Sequence, residues 1–156
     1  MKSFAIACFV LAAFLFIGYG FSRKHSHSHF SSSHKCNKDE LKMSANLIPY
    51  FDQFIEDCKR HNINYDHIYC LDYLHFEHSH SVQGVTDFYD KDIAINTHLE
   101  KDTIGMRFVV YHEIGHWMGL EHGKGIMQKS YSTENDMEWA KENWDELTEN
   151  FFNKLK

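Results

Sequence analysis

Residues 112 to 127 read HEIGHWMGLEHGKGIM, and three histidines, a glutamate and a methionine fall in this short span. His112 and His116 stand four positions apart, so on a helix both imidazoles project from one face on successive turns. Gly119 can take the backbone conformation that leaves a helix, which lets the chain swing His122 round as a third nitrogen donor. Three protein ligands leave the fourth position of a tetrahedral zinc open, the arrangement of a catalytic site rather than a structural one. Glu113 points to the neighbouring side of the helix, where it reaches a water on the metal instead of the metal itself. Zinc lowers the pKa of a bound water from about 15.7 towards about 7, and a nearby carboxylate takes the proton as that water attacks a carbonyl. The chemistry implied is zinc-assisted hydrolysis, with His112, His116 and His122 holding one Zn2+ and Glu113 as general base.

Chance is a poor explanation of this pattern. Even with 13 histidines and 8 glycines in 156 residues, H-E-x-x-H-x-x-G-x-x-H arises at random in roughly 3 of 10,000 such chains. The shorter H-E-x-x-H arises in roughly 1 of 12, so the extension through Gly119 to His122 carries the discrimination.

HEIGHWMGLEH resembles the zinc-binding signature of the metzincin clan of metalloendopeptidases, and Met127 in GKGIM resembles the methionine of their Met-turn. The resemblance implies a zincin-like α+β fold with a small mixed β-sheet, an active-site helix and a C-terminal helix. It implies peptide or protein substrates, and it places Met127 as a floor beneath the metal. It also implies an edge strand above the active-site helix, somewhere in 81 to 96, that pairs with an extended substrate. Only four residues separate His122 from Met127, a short connection for the clan. Where some families carry a tyrosine two residues past the methionine, Lys129 stands here, and Tyr131 is the nearest candidate for stabilising an oxyanion.

The elements that must position these residues follow from periodicity. Tyr50, Phe51, Phe54, Ile55 and Cys58 recur at helical spacing within 39 to 61, with Asp52, Gln53, Glu56 and Asp57 on the other face. Pro49 either begins or kinks this helix. No strand is evident ahead of it, which suggests a reduced version of the fold. Short strands are expected at 66 to 74, 81 to 86 and 92 to 96, with His75, His78 and His80 in the loop between the first two. Those three histidines offer a second metal site or a solvated loop. A helix capped by Asp102 runs through the motif and stops at Gly119. Met137, Ala140, Trp144, Leu147, Phe151 and Leu155 mark a closing helix, with Ser132 and Thr133 as candidate caps.

The first twenty residues, MKSFAIACFVLAAFLFIGYG, combine one lysine, an apolar run and small residues at 18 and 20, the three parts of a cleavable signal peptide. The alternative is an uncleaved anchor, because the run approaches the roughly 20 residues that span a bilayer. Export, to a secreted or periplasmic location without stable membrane association, is the expectation. Residues 21 to 38 are polar, rich in serine and histidine (His25, His27, His29, His34), and read as a spacer or as a metal-capturing tail. The peptidase domain is expected over 39 to 156, as a monomer. In an oxidising compartment Cys36, Cys58 and Cys70 allow three pairings with one thiol left over. Cys58 with Cys70 is the first expectation, and a Cys36 thiolate occupying the open metal position is a further route to latency. A net charge of −6 excludes a nucleic-acid partner of the usual basic kind.

Two other functions fit parts of this pattern. A zinc-binding or zinc-scavenging exported protein would use the histidine-rich segments and merely store metal on the helix, but storage gives Glu113 no task. An inhibitor or adhesion module on a degenerate scaffold would have no need to keep every reactive residue.

Overall fold

The computed structural model describes residues 36–79, 82–129 and 134–156. The expected signal peptide, the histidines between 25 and 34, His80, Tyr131 and the candidate caps Ser132 and Thr133 lie outside the described residues. Among the described residues no helix is long and apolar enough to cross a membrane.

The architecture is α+β, with four strands and four α-helices among the described residues: β1 (Lys42–Met43), α1 (Ile48–His61), β2 (Tyr73–Glu77), β3 (Gly84–Asp87), β4 (Asp92–Asn96), α2 (Thr103–Trp117), α3 (Glu134–Glu142) and α4 (Trp144–Lys154). The sheet runs in the order β1-β2-β4-β3, parallel except for β3, which pairs antiparallel to β4 and forms one edge. Leu74, Ile93 and Ile95 project from its buried face. Residues that alternate with them, Tyr73, His75 and Ala94, face outward, as the two-residue period of a strand requires.

Helix α2 is buried on nearly every side. Met106, Phe108, Val109, Val110, Tyr111, Ile114 and Trp117 are all in the core, and a helix apolar all round survives only when neighbours cover it. Those neighbours are α1, through Phe51, Phe54 and Ile55, the sheet, and α4, through Leu147, Phe151 and Phe152. Phe54 meets Tyr111 edge-on with ring centroids 4.8 Å apart, and Tyr111 meets Trp144 at 5.2 Å, so α1, α2 and α4 are locked by aromatic contacts.

Several expectations are corrected. The early helix does not begin near Asp39: residues 38–40 and 45–47 form 3-10 turns, and Lys42–Met43 pairs with β2, supplying the first strand that the sequence did not suggest. Pro49 sits in the first turn of α1, where its missing N–H costs nothing. Residues Asp66–Cys70 form a 3-10 helix rather than strand, because the Asn64 side chain accepts from the Asp66 N–H and turns the chain. His75 consequently lies inside β2, with Nδ1 3.0 Å from Asp92, and not in the following loop. The closing helix is two helices. Asn143 lies between them, and its side-chain amide joins its backbone N–H on the Trp139 carbonyl.

Asp57 is not on a solvated face. It is 2% exposed and accepts hydrogen bonds from the Tyr111 hydroxyl at 2.6 Å and from Gln53 at 3.1 Å, with Arg60 paired to it at 2.8 Å. The disulfide also differs from expectation: Cys36 joins Cys70, and Cys58 is the free, fully buried thiol. Cys58 points inward from the apolar stripe of α1, whereas Cys70 ends a surface turn within 4.6 Å, Cα to Cα, of the incoming chain at Cys36. With its sulfur in that bridge, Cys36 offers no thiolate to a metal. Burial pushes the Cys58 thiol up to about 12, so it is chemically quiet.

Candidate metal centre

The Asp102 carboxylate starts α2 as its N-cap, accepting from the N–H groups of Ile104 and Gly105 at 3.2 and 3.0 Å. The helix ends in a Schellman motif. Gly119 takes φ +93°, its N–H bonds the His116 carbonyl, and the Leu120 N–H reaches back to Gly115. This reversal, which a side-chain-bearing residue would resist, brings His122 back alongside the helix it has just left.

His112, His116 and His122 converge there. The His116 Nε2 lies 3.1 Å from the His112 Nε2 and 3.2 Å from the His122 Nε2, and one nitrogen from each ring falls within 4.8 Å of the others. His112 is the most shielded, His116 is half-buried and His122 is open to solvent.

The opposite edges of two rings determine what those nitrogens can be. His112 Nδ1 is 2.7 Å from the Ile126 carbonyl oxygen, and His116 Nδ1 is 2.8 Å from that of Leu120. A carbonyl only accepts, so each Nδ1 carries the proton and each neutral ring presents a bare lone pair at Nε2. Two lone pairs at 3.1 Å repel unless a cation lies between them. Burial also lowers the basicity of both rings, pulling His112 down to about 4 and His116 in the same direction, which disfavours a proton as that cation. Three nitrogens around a tetrahedral zinc stand about 3.3 Å apart, close to the 3.1 and 3.2 Å separations of His116 from its two neighbours. The donor set therefore fits a divalent, nitrogen-preferring metal ion, and the carbonyl partners are those expected of ligating histidines.

Met127 packs against α2 at Gly115. It is fully buried, and the helix allows its approach only because Gly115 has no side chain: a Cβ there would stand 2.6 Å from the Met127 sulfur and 2.8 Å from the Phe151 ring. The short loop between His122 and Met127 closes through a 2.7 Å bond from the Gly123 N–H to the Met127 carbonyl. Lys154 on α4 donates to the Lys124 carbonyl at 2.8 Å and steadies the same loop.

Glu113 is 6% exposed and stands outside the imidazole cluster. Burial pushes its carboxyl up to about 7, against the opposing effect of a hydrogen bond from Thr86. Its walls are shared with a cleft of about 550 Å³ that also takes in the three histidines, Gly84 to Thr86 of β3, and Lys129. A carboxylate poised between its two protonation states near neutral pH, opening on the same cleft as three histidines close enough to hold a metal ion, is equipped to exchange protons there.

The sequence missed Thr86 and Gly84, the two residues of β3 that touch Glu113. No spacing rule joins a strand residue to a helix residue 27 positions away, and only the sheet register brings them together. Among the described residues no second group of metal-ligating side chains forms, and His75 and His78 are not part of one. No family model, curated protein or solved structure matches this chain.

Proposed function

We propose that this protein is an exported zinc-dependent endopeptidase of the metzincin type. One observation carries the reading: three imidazoles with converging Nε2 atoms share a cleft with a buried carboxylate that belongs to the same helix and is not part of the ligand set. A zincin-like fold is supported by the antiparallel edge strand β3 packing against α2 and by a buried methionine, Met127, that packs against the same helix at Gly115.

His112, His116 and His122 would hold the ion through Nε2, with the Ile126 and Leu120 carbonyls fixing the tautomer of the first two rings. Bound there, zinc supplies a Lewis acid that polarises a peptide carbonyl and acidifies water. Glu113 takes the proton of the attacking water and returns it to the departing amine nitrogen, a task matched by a carboxyl near 7. The outer edge of β3 has no strand partner among the described residues, so its backbone groups are available to an extended peptide crossing the cleft. Val82, Val85, Phe108 and Val109 give that cleft an apolar wall.

The rival reading, a zinc-storing protein, leaves Glu113 unexplained: storage gains nothing from burying a carboxyl against β3 at a cost in desolvation. The deciding experiment measures zinc content and cleavage of an unstructured protein for residues 21 to 156 and for its Glu113→Ala variant. Equal zinc in both, with cleavage lowered at least a hundredfold in the variant, is the expected result. Equal cleavage by both would remove Glu113 from the mechanism, and zinc binding without cleavage by either would favour storage.

A further inference from the structure

Thr86 stands on β3 with its side chain turned toward α2, and its hydroxyl oxygen lies 2.8 Å from Glu113 Oε2 and 2.9 Å from the backbone carbonyl oxygen of the same residue. A threonine hydroxyl has one proton to donate. When Glu113 is ionised the carboxylate oxygen receives it, because a charge-assisted bond is about twice as strong as a neutral one. Oε2 is then occupied.

Gly84 lies two residues earlier on the same strand face and closes on the carboxylate from another direction. A Cβ at Gly84 would stand 2.7 Å from Glu113 Cγ, 2.8 Å from Oε1 and 2.8 Å from Val109 Cγ1. The bare backbone of Gly84 thus lets the strand come close enough for Thr86 to reach Glu113. Strand and helix meet here through one hydroxyl and one missing side chain, and both residues line the cleft.

We infer that Thr86 is a positioning residue for the proton acceptor: its hydroxyl pins Oε2 of Glu113 and leaves Oε1 as the oxygen that exchanges protons with the substrate water and the amine. The inference rests on the peptidase reading of the site. It differs from a packing role because it needs the hydroxyl and not merely the volume of the side chain. A glutamate has three rotatable side-chain bonds, and without an anchor the reacting oxygen would spend much of its time away from the attacking atom, a misplacement to which rate is sensitive. Neither the three imidazoles nor their carbonyl partners involve Thr86, so metal binding should not depend on it.

The test compares wild type, Thr86→Val, Thr86→Ser and Glu113→Gln in the zinc-loaded protein, with zinc content, kcat and KM measured for each. Crystal structures of the metal-free wild type and Thr86→Val proteins supply a readout independent of activity. Thr86→Val preserves shape and removes the donor. It is expected to lower kcat about tenfold to a hundredfold, with KM and zinc content unchanged, and to show the Glu113 carboxylate turned away from β3. Thr86→Ser restores the hydroxyl and should keep kcat within about threefold of wild type. Equal losses in the Val and Ser variants would overturn the inference, since they would mark a role in packing. A Thr86→Val protein as fast as wild type, beside an inactive Glu113→Gln, would overturn the positioning role while leaving the peptidase reading in place. Glu113→Gln cleaving as fast as wild type would overturn both.

Discussion

The sulfur of Met127 occupies the space that a side chain on Gly115 would need, 2.6 Å from the position of its missing Cβ. The ligand helix and the loop that follows His122 therefore interlock at a position inside the H-E-x-x-H segment itself. Gly115→Ala should overpack this contact and the Phe151 ring behind it, costing about 1–3 kcal/mol. Urea denaturation reads the loss, and zinc affinity should fall with it, because the displaced loop carries the Ile126 carbonyl that orients His112.

Metal removal should destabilise the protein reversibly. A ligand bound only by the folded chain adds about 4 kcal/mol at a thousand times its dissociation constant. Chelation is expected to lower the urea midpoint and zinc to restore it in the wild type. His116→Ala, which deletes the imidazole closest to both partners, should abolish the zinc response. A variant midpoint that still rises with zinc would place the metal elsewhere.

The metal-free chain should carry a pH signature at Glu113. Burial lifts its folded pKa to about 7 from an ordinary 4.5. The folded chain thus keeps a proton that the unfolded chain has already released. That contribution to stability is whole below about pH 4.5 and is lost as the pH rises through 7. Glu113→Gln cannot lose it. The variant should match wild type near pH 4.5 and exceed it above pH 7 by up to about 3 kcal/mol, read from denaturation in chelator. His112 runs the other way: held neutral down to about 4, it contributes stability that is present above 6.5 and lost as the pH falls through 4.

Tyr111→Phe removes the 2.6 Å donor to Asp57 and leaves that buried carboxylate with Gln53, Arg60 and, at 4.0 Å, Arg107. The expected cost is about 1–3 kcal/mol of stability. Tyr111 faces α1 while His112 and His116 face the cleft, so zinc content should not change. A loss of zinc in this variant would mean that α1 sets the attitude of the ligand helix.

Reduction of the Cys36–Cys70 bridge reopens a loop spanning 34 residues of sequence. The chain-entropy model puts the loss at about 4 kcal/mol. In residues 21 to 156, Cys58 should resist alkylation in the native state and react on unfolding, since it is fully buried with its thiol raised to about 12. Native-state labelling of Cys58 would mean that α1 opens locally.

The gathering of His112, His116 and His122 was legible in the sequence because its determinants are local. Helical spacing aligns the first two rings, and one glycine at φ +93° returns the third. The Asp102 cap and the β4 boundaries were equally readable, for each depends on side chains within a few positions. The early helix and the 66 to 74 strand were misread where 3-10 turns interrupt the apolar pattern without erasing it.

Tertiary structure alone decided the rest. Asp57 is polar by type and reads as part of the face opposite the apolar stripe, yet a tyrosine 54 residues away receives it in the core. Cys70 took the partner that chain entry brought within reach, and the tautomers of His112 and His116 depend on carbonyls presented by the loop. Thr86 meets Glu113 only because β3 pairs antiparallel to β4 and is drawn across α2. Sequence spacing determines which donors one helix can offer in one direction; which groups surround them, and so how they hold protons, is set by packing between segments whose separation along the chain carries no periodic signal.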